Sequence, residues 1–358
     1  MTISLSSRWR QAVGATALAA LAAAGLSACG DDANANASGG GSGDGVTLQL
    51  GYFPNLTHGT ALVGMEKGYY QDKLAQDGAS VKFAEFDSGS DTIAALLNGD
   101  LAATYIGPVP TLTAYAESKN VSVVAGAASG GAALVVSKDI TSVDDLAGKT
   151  IATPGEFNTQ DIAARAYFKD QGFQINPDGS GDINLTPQDN SVIIQAFRQG
   201  DIDGAWVPEP YASLMVNDGG HILVNEADLW PGGKFVTTQL LVNNDFLNEH
   251  PDLVTDLVEA HVEANDFINN NPDEAKQLIS TKLAELTGAE LPQDVFDSAW
   301  NNLTFTNDPN VSSLEKDAAD AYDAGALEQP VNDISALYDL DPLNKVLAAK
   351  GEPQVQVP

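Results

Sequence analysis

From Val46 onward, short apolar runs of β character alternate with segments whose apolar residues recur at helical spacing. VTLQLGYF (46–53) reads as a strand and leads into a helix ending near Gly68. VKFAEF (81–86) is a second strand, and SDTIAALLNG (90–99) is a helix closed by Gly99. AATYIG (102–107) and SVVAGAA (122–128) give a third and a fourth strand. After SVDDLAGK (142–149) the alternation restarts. KTIA (149–152) is a strand, NTQDIAARAYFKDQG (158–172) a helix, DINLTP (182–187) an extended run, SVIIQAFRQG (191–200) a helix and DGAWV (203–207) a strand. TTQLLVNN (237–244) reads as a further strand, and Pro251 opens a helix-rich tail that runs to about Gly351. This order predicts an α/β protein with mainly parallel sheet. The block from Asp139 to Gly232 is large enough for a sheet of its own. The pattern therefore predicts two α/β lobes with a ligand cleft between them, one built from 46–138 and 233–358, the other from 139–232.

Ahead of Val46 the pattern is different. Arg8 and Arg10 form a basic start, Ala12 to Gly25 is a short run dominated by Ala, Leu and Gly, and Leu26-Ser27-Ala28-Cys29 follows. That is the order of a secretory signal over residues 1–28, with an apolar part too short to span a bilayer. LSAC resembles the bacterial lipobox, which makes Cys29 the expected lipidation site and mature N-terminus. Cys29 is the only cysteine, so no disulfide forms within the chain. GDDANANASGGGSGDG (30–45) holds no large apolar residue and reads as a flexible tether. A coil of about 16 residues spans roughly 20 to 25 Å, enough to hold a globule off a membrane surface. The expected location is extracytoplasmic, lipid-anchored to the cell membrane.

Composition narrows the function. Hydrophobic residues make up 43% and charged residues 18%, a globular balance. Lysine and arginine number 17 against 49 acidic residues, a net charge of −32. Such a surface repels phosphates, which argues against nucleic acid as a partner.

In open α/β sheets, ligands lie beyond the carboxyl ends of the strands, against helix N-termini. The turns at those places are Pro54-Asn55-Leu56-Thr57-His58, Asp87-Ser88-Gly89-Ser90-Asp91, Gly107-Pro108-Val109-Pro110, Ser129-Gly130-Gly131 and Thr153 to Gln160, which includes Asn158 and Thr159. They are rich in Gly, Ser, Thr and Asn. Backbone N–H groups and the helix dipole make such turns anion sites, and small hydroxyl and amide side chains add donors. The same residues also serve as ordinary N-caps. After Cys29 the chain has two arginines, Arg165 and Arg198, so a bidentate arginine clamp is not expected. Arg165 follows Thr159 on one helix and is expected to brace it.

Catalytic readings find little support. HExxH, CxxC, GxSxG and Walker patterns are absent, and His58, His221, His250 and His261 are scattered. No cofactor, metal site or catalytic residue is expected. Trp206-Val207-Pro208-Glu209-Pro210 leaves two roles open: a rigid turn that ends a strand, or a ligand contact. In the second, Trp206 lies against an apolar part of the ligand and Glu209 near a cationic group or donor. His58 is likewise open between donating to a ligand and ordering its turn.

With these turns in view, the chain resembles the substrate-binding proteins of bacterial ABC importers, in the nitrate, sulfonate, bicarbonate and taurine group. The resemblance rests on GYFPNLTHGTALVG (51–64), LLNGDLAATYIGPVPTL (96–112), SGGAALVVSKDI (129–140), LAGKTIATPGEFNTQDIAAR (146–165), RQGDIDGAWVPEPYAS (198–213) and DLWPGGKFVTTQLLV (228–242). It implies a type II periplasmic-binding-protein fold whose lobes close on a ligand, and a monomer that docks on a membrane permease driven by an ATPase. It places ligand contacts around Asn55 and His58, Ser88 to Ser90, Gly107-Pro108, Ser129-Gly130, Asn158 to Gln160, and Trp206 to Glu209. The expected ligand is a small oxyanion, with an aliphatic sulfonate or taurine ahead of nitrate, bicarbonate or a thiamine precursor. An enzyme on the same fold, of the menaquinone-pathway kind, is the alternative of another class.

Overall fold

The computed structural model describes residues 45–357. The expected signal segment, the lipidation site Cys29 and all but the last residue of the tether lie outside the described residues.

The strands are β1 (Thr47–Tyr52), β2 (Ser80–Glu85), β3 (Ala103–Ile106), β4 (Val121–Gly130), β5 (Ala132–Val136), β6 (Thr150–Thr153), β7 (Asn184–Pro187), β8 (Gly204–Pro208), β9 (His221–Asn225), β10 (Val236–Asn243) and β11 (Leu303–Phe305). They form two sheets, ordered β11-β4-β10-β3-β1-β2 and β7-β6-β8-β5-β9. In the first, β1 pairs parallel with β2 and β3, while β10 runs antiparallel to β3 and β4, and β11 antiparallel to β4. In the second, β6 pairs parallel with β7 and β8, while β5 runs antiparallel to β8 and β9. The sheets are thus mixed rather than mainly parallel. The cause is the double crossing of the chain: β10 returns from the second sheet and enters the first pointing back along β3 and β4.

The first crossing corrects the expected lobe boundary. Gly130 and Gly131 carry the chain from β4 straight into β5, so residues 132–136, expected in the first lobe, pair in the second sheet. Both glycines have positive φ, +83° and +75°. A Cβ on Gly130 would stand 2.7 Å from the Asn302 carbonyl oxygen, and one on Gly131 would stand 2.4 Å from Leu303 Cδ2. Only glycine fits this bend. Ser129-Gly130-Gly131 is therefore a crossing, not a turn that opens a helix. The second crossing runs from Glu226 to Phe235, where Trp230 stacks on Phe235 with centroids 5.7 Å apart.

Every residue of β4 and β10 is buried, because helices cover both faces of the first sheet. Leu240 and Val242 pack with Leu257 and Val258 of helix Pro251–Asn270 on one face. Leu241 packs with Leu112 of helix Pro108–Ser118 and Leu314 of helix Val311–Asp323 on the other. Each such leucine contributes about 1.5–3 kcal/mol of burial. Helix Val311–Asp323 also meets the second lobe, where Ile162 of helix Thr159–Asp170 packs with Ala321 and Lys169 reaches Asp323 at 2.9 Å. The lobes therefore touch along two helices as well as through the crossings.

Candidate functional site

Strands β1, β2 and β3 end at one edge of their sheet, and β6, β7 and β8 at one edge of theirs. Those two edges face a common cavity of about 70 Å³. Phe53, Asp87 and Gly107 mark it from the first lobe, and Pro154, Asn190 and Pro208 from the second. Five helical starts converge there: Leu56–His58 running into Gly59–Glu66, then Gly89–Leu97, Pro108–Ser118, Thr159–Asp170 and Asn190–Gln199. The first turns of such helices present N–H groups without intrahelical partners. Among the described residues no lysine or arginine lines the cavity, and Asp87, exposed at its rim, is the one acidic residue that does. The arrangement suits a small anion held by dipoles and neutral donors.

His58 fits this scheme through its own hydrogen bond. Its Nδ1 accepts from the Phe53 backbone N–H at 3.2 Å, and its ring stacks on Phe53 at 4.8 Å. With Nδ1 occupied as an acceptor, the ring proton resides on Nε2. The side chain is 3% exposed, and burial pushes its pKa down to about 3. His58 is thus a neutral donor at ordinary pH, in a residue that lines the cavity.

The other predicted residues divide clearly. Asn55, Gly107, Asn158, Thr159 and Gln160 line the cavity with His58. Asn55 and Asn158 also cap their helices, accepting from Thr57 N at 3.3 Å and Asp161 N at 3.0 Å, which leaves their amide N–H groups as donors. The ordinary capping role and the ligand-facing position coexist in one residue. Thr159 and Gln160 are largely buried where they line the cavity.

Ser88 and Ser90 flank the lining residue Gly89, with their hydroxyls 2.7 Å apart. Pro108 is the first residue of its helix, beside lining Gly107. Ser129 and Gly130 lie in β4, where the Gly130 carbonyl accepts from the Thr237 hydroxyl.

Two expectations are corrected here. Trp206 is fully buried in the second lobe's core, between Tyr167 and Phe168, and its indole N–H donates to Glu226 Oε2 at 2.7 Å. It has no face toward the cavity. Glu209 turns its carboxylate to the Ser213 N–H (3.0 Å), the Ser213 hydroxyl (2.9 Å) and the Asn302 amide (2.7 Å). Protein donors occupy it, and Pro208, one residue earlier, is the part of this turn that lines the cavity.

Sequence reasoning missed Asn190 and Thr237, while Thr57 and Asp87 lay inside turns it named but were not singled out as contacts. Asn190 had a signal: it opens a helix three residues after the short strand β7 ends, the same grammar as the other turns. Its Oδ1 is buried without a partner among the described residues. Thr237 sits on a crossing strand and carried no local signal.

The second-lobe turn is held rigidly. Asp161 accepts from the Thr153 hydroxyl (2.8 Å), the Phe157 N–H (3.0 Å) and Arg165 Nε (2.7 Å), while Arg165 also donates to the Asn176 carbonyl at 3.0 Å. Arg165 braces the site and does not line it, as expected.

A model of the NMT1-like family matches residues 42–284 of the chain. The chain belongs to the NMT1-like family. The chain is similar to the taurine-binding periplasmic protein of Escherichia coli (strain K12), at 32% identity over 53% of this chain and 58% of that one. A putative aliphatic sulfonates-binding protein of Bacillus subtilis (strain 168) is 27% identical, over 61% of this chain and 65% of that one. The matches thus span less than two thirds of either relative. The solved alkanesulfonate-binding protein SsuA from Xanthomonas axonopodis pv. citri, bound to MOPS, superposes with a TM-score of 0.65 at 17% identity, covering 82% of this chain and 98% of that one. The fold is that of the periplasmic binding proteins.

Proposed function

We propose that the chain is the extracytoplasmic solute-binding component of an ABC importer, a binding protein rather than an enzyme. It takes a small oxyanion, first among them a compact aliphatic sulfonate such as taurine, and delivers it to a membrane permease powered by an ATPase. Cys29 is its lipid anchor, and it works as a monomer. The observation that carries the reading is the convergence of helix N-termini from both lobes on one small cavity lined by neutral donors. The relatives named for taurine and sulfonates support the same class.

Size and charge favour a taurine-like ligand over a bulky sulfonate. A water needs about 10–15 Å³ by this measure, so about 70 Å³ has room for roughly five to seven such units. The sulfonate goes to Asn55, His58, Gly107, Thr159 and Gln160, and the rim carboxylate of Asp87 suits an ammonium end. Ser88, Ser90, Asn158 and Asn190 complete the surroundings of the bound molecule.

The test is a thermal-shift panel of taurine, ethanesulfonate, nitrate and bicarbonate. At 100 times Kd, binding adds about 2.7 kcal/mol and raises Tm by several degrees. Taurine is expected to lead the panel; no shift with any oxyanion at millimolar concentration would refute the reading.

A further inference from the structure

A second interlobe cavity, of about 160 Å³, lies between helix Thr159–Asp170, the crossing segment after β9 and helix Val311–Asp323. Glu226 and Asp317 both line it, beside Tyr167, Trp230, Lys316 and Asp320. The two carboxyls belong to different bodies. Glu226 opens the crossing segment and is tied to the second lobe through the Trp206 indole. Asp317 is on a helix whose Leu314 and Ala318 pack in the first lobe. Glu226 is 2% exposed and Asp317 8%. Asp317 opens onto the cavity itself.

We propose that Glu226 and Asp317 form a proton-linked latch: bringing the lobes together encloses the two carboxyls in one cavity, where they hold a proton taken from solvent. The inference rests on the reading of the molecule as one whose lobes close on a ligand.

The charged neighbours define the sign. From helix Val311–Asp323, Lys316 faces Glu226, but it is committed to Asp320 and lies 5.2 Å over the Trp230 ring. Asp320 adds like charge to Asp317, Tyr338 faces Asp317 from the C-terminal segment, and Tyr167 and Asp170 face the cavity from the other lobe. One partly engaged lysine thus stands against several carboxylates. Burial, opposed by the Trp206 N–H, pushes Glu226 up to about 7. Burial and then the Glu226 charge push Asp317 well above the carboxylate range. In an open form both groups meet water and return toward ordinary values near 4. A carboxyl with a raised value binds its proton more tightly in the closed form. Closure therefore takes up protons between about pH 4.5 and 7, and its electrostatic cost grows as pH rises through that window. By reciprocity, ligand affinity falls across the same window.

Titration calorimetry with taurine at pH 6, in buffers of different ionisation enthalpy, reads the proton directly. The latch predicts net uptake of at least half a proton per taurine bound. It also predicts a Kd that rises by up to about tenfold per pH unit per proton from pH 5 to 7. Glu226→Gln and Asp317→Asn each lower the uptake, and the double variant abolishes it. Buffer-independent heat in the unaltered protein, or undiminished uptake in the double variant, overturns the latch. Absence of any taurine heat overturns the ligand reading instead, and the ligand-free protein then decides the latch. Small-angle scattering should show it expanding from pH 5.5 to 8.5, while a double variant with native circular dichroism stays constant. Equal, flat radii for both proteins would sink the proposal.

Discussion

Gly107 of the first lobe and Thr159 of the second meet across the cavity so closely that a Cβ on the glycine would stand 2.7 Å from the threonine Oγ1. The backbone at Gly107 is ordinary, with φ −74° and ψ 166°, so the requirement for glycine comes from the other lobe and not from local strain. Gly107→Ala is expected to leave unfolding unchanged and to hold the lobes apart. Overpacking costs about 1–3 kcal/mol, a loss of roughly 5- to 150-fold in affinity. Calorimetry paired with denaturation checks both halves; unchanged affinity would mean that the lobes bind without coming this close.

The hydroxyl on the other side of that contact has a separate role. Thr159 is the first residue of its helix, and Asn158 supplies the cap, so Thr159→Ala removes a donor without loosening the helix. A hydrogen bond to a charged ligand contributes about 1.5–3 kcal/mol. Affinity should fall by at least tenfold with Tm in the ligand-free protein unchanged. Undiminished binding would show that the second-lobe half of the site has been misplaced.

His58 and His261 each weaken the fold as the solution becomes acidic. Burial holds His58 down to about 3 and His261 to about 4, while an unfolded histidine titrates near 6.5. Above that value both are neutral in both states and contribute nothing. As pH falls below it the unfolded chain takes up protons that the fold refuses, so stability drops with pH. At pH 5 each site costs about 2 kcal/mol by this linkage. His58→Gln should lose less stability than the unaltered protein between pH 7 and 5, read by urea denaturation. Ligand affinity in the unaltered protein should show no step attributable to His58 above pH 5.

The turns that converge on the cavity were legible because capping chemistry is local. Asn55, Asn158 and their glycine neighbours announce a strand-to-helix turn wherever the rest of the chain goes. What stayed hidden depends on distant partners. Nothing local reveals that β5 leaves the first sheet at Gly130, since that bend is enforced by Asn302 and Leu303, far along the chain. Trp206 and Glu209 looked ligand-facing because they end a strand at the correct edge. Their direction is set by Glu226 and Asn302, which lie in a crossing segment and in the helical tail. Position along an element could be read from sequence; the direction of a side chain could not.

Arg165 and Asp161 form a buried ion pair, 5% and 0% exposed, that clamps the loop carrying Asn158, Thr159 and Gln160. Arg165→Met leaves Asp161 buried without its cation and should cost about 3–5 kcal/mol. Arg165→Lys should not restore it, because one ammonium cannot reach both Asp161 and the Asn176 carbonyl in the fork geometry of a guanidinium. Denaturation of both variants tests this, and a fully stable lysine variant would show that charge alone holds the loop.

Glu209 separates the structural account from the one its sequence position suggested. A carboxylate facing the ligand would choose ligands by charge, so Glu209→Gln would change the preference for taurine over ethanesulfonate. In the structure the carboxylate instead accepts three protein hydrogen bonds, one of them from Asn302 in the other lobe. Its replacement by an amide sets an N–H group against donors and should cost about 1–3 kcal/mol of stability. The ratio of Kd values for the two sulfonates should stay constant within error, while both affinities weaken together as the link between lobes is lost. Asn302→Ala, which touches no ligand, should reproduce that uniform weakening. A changed ratio in Glu209→Gln alone would return Glu209 to the ligand cavity.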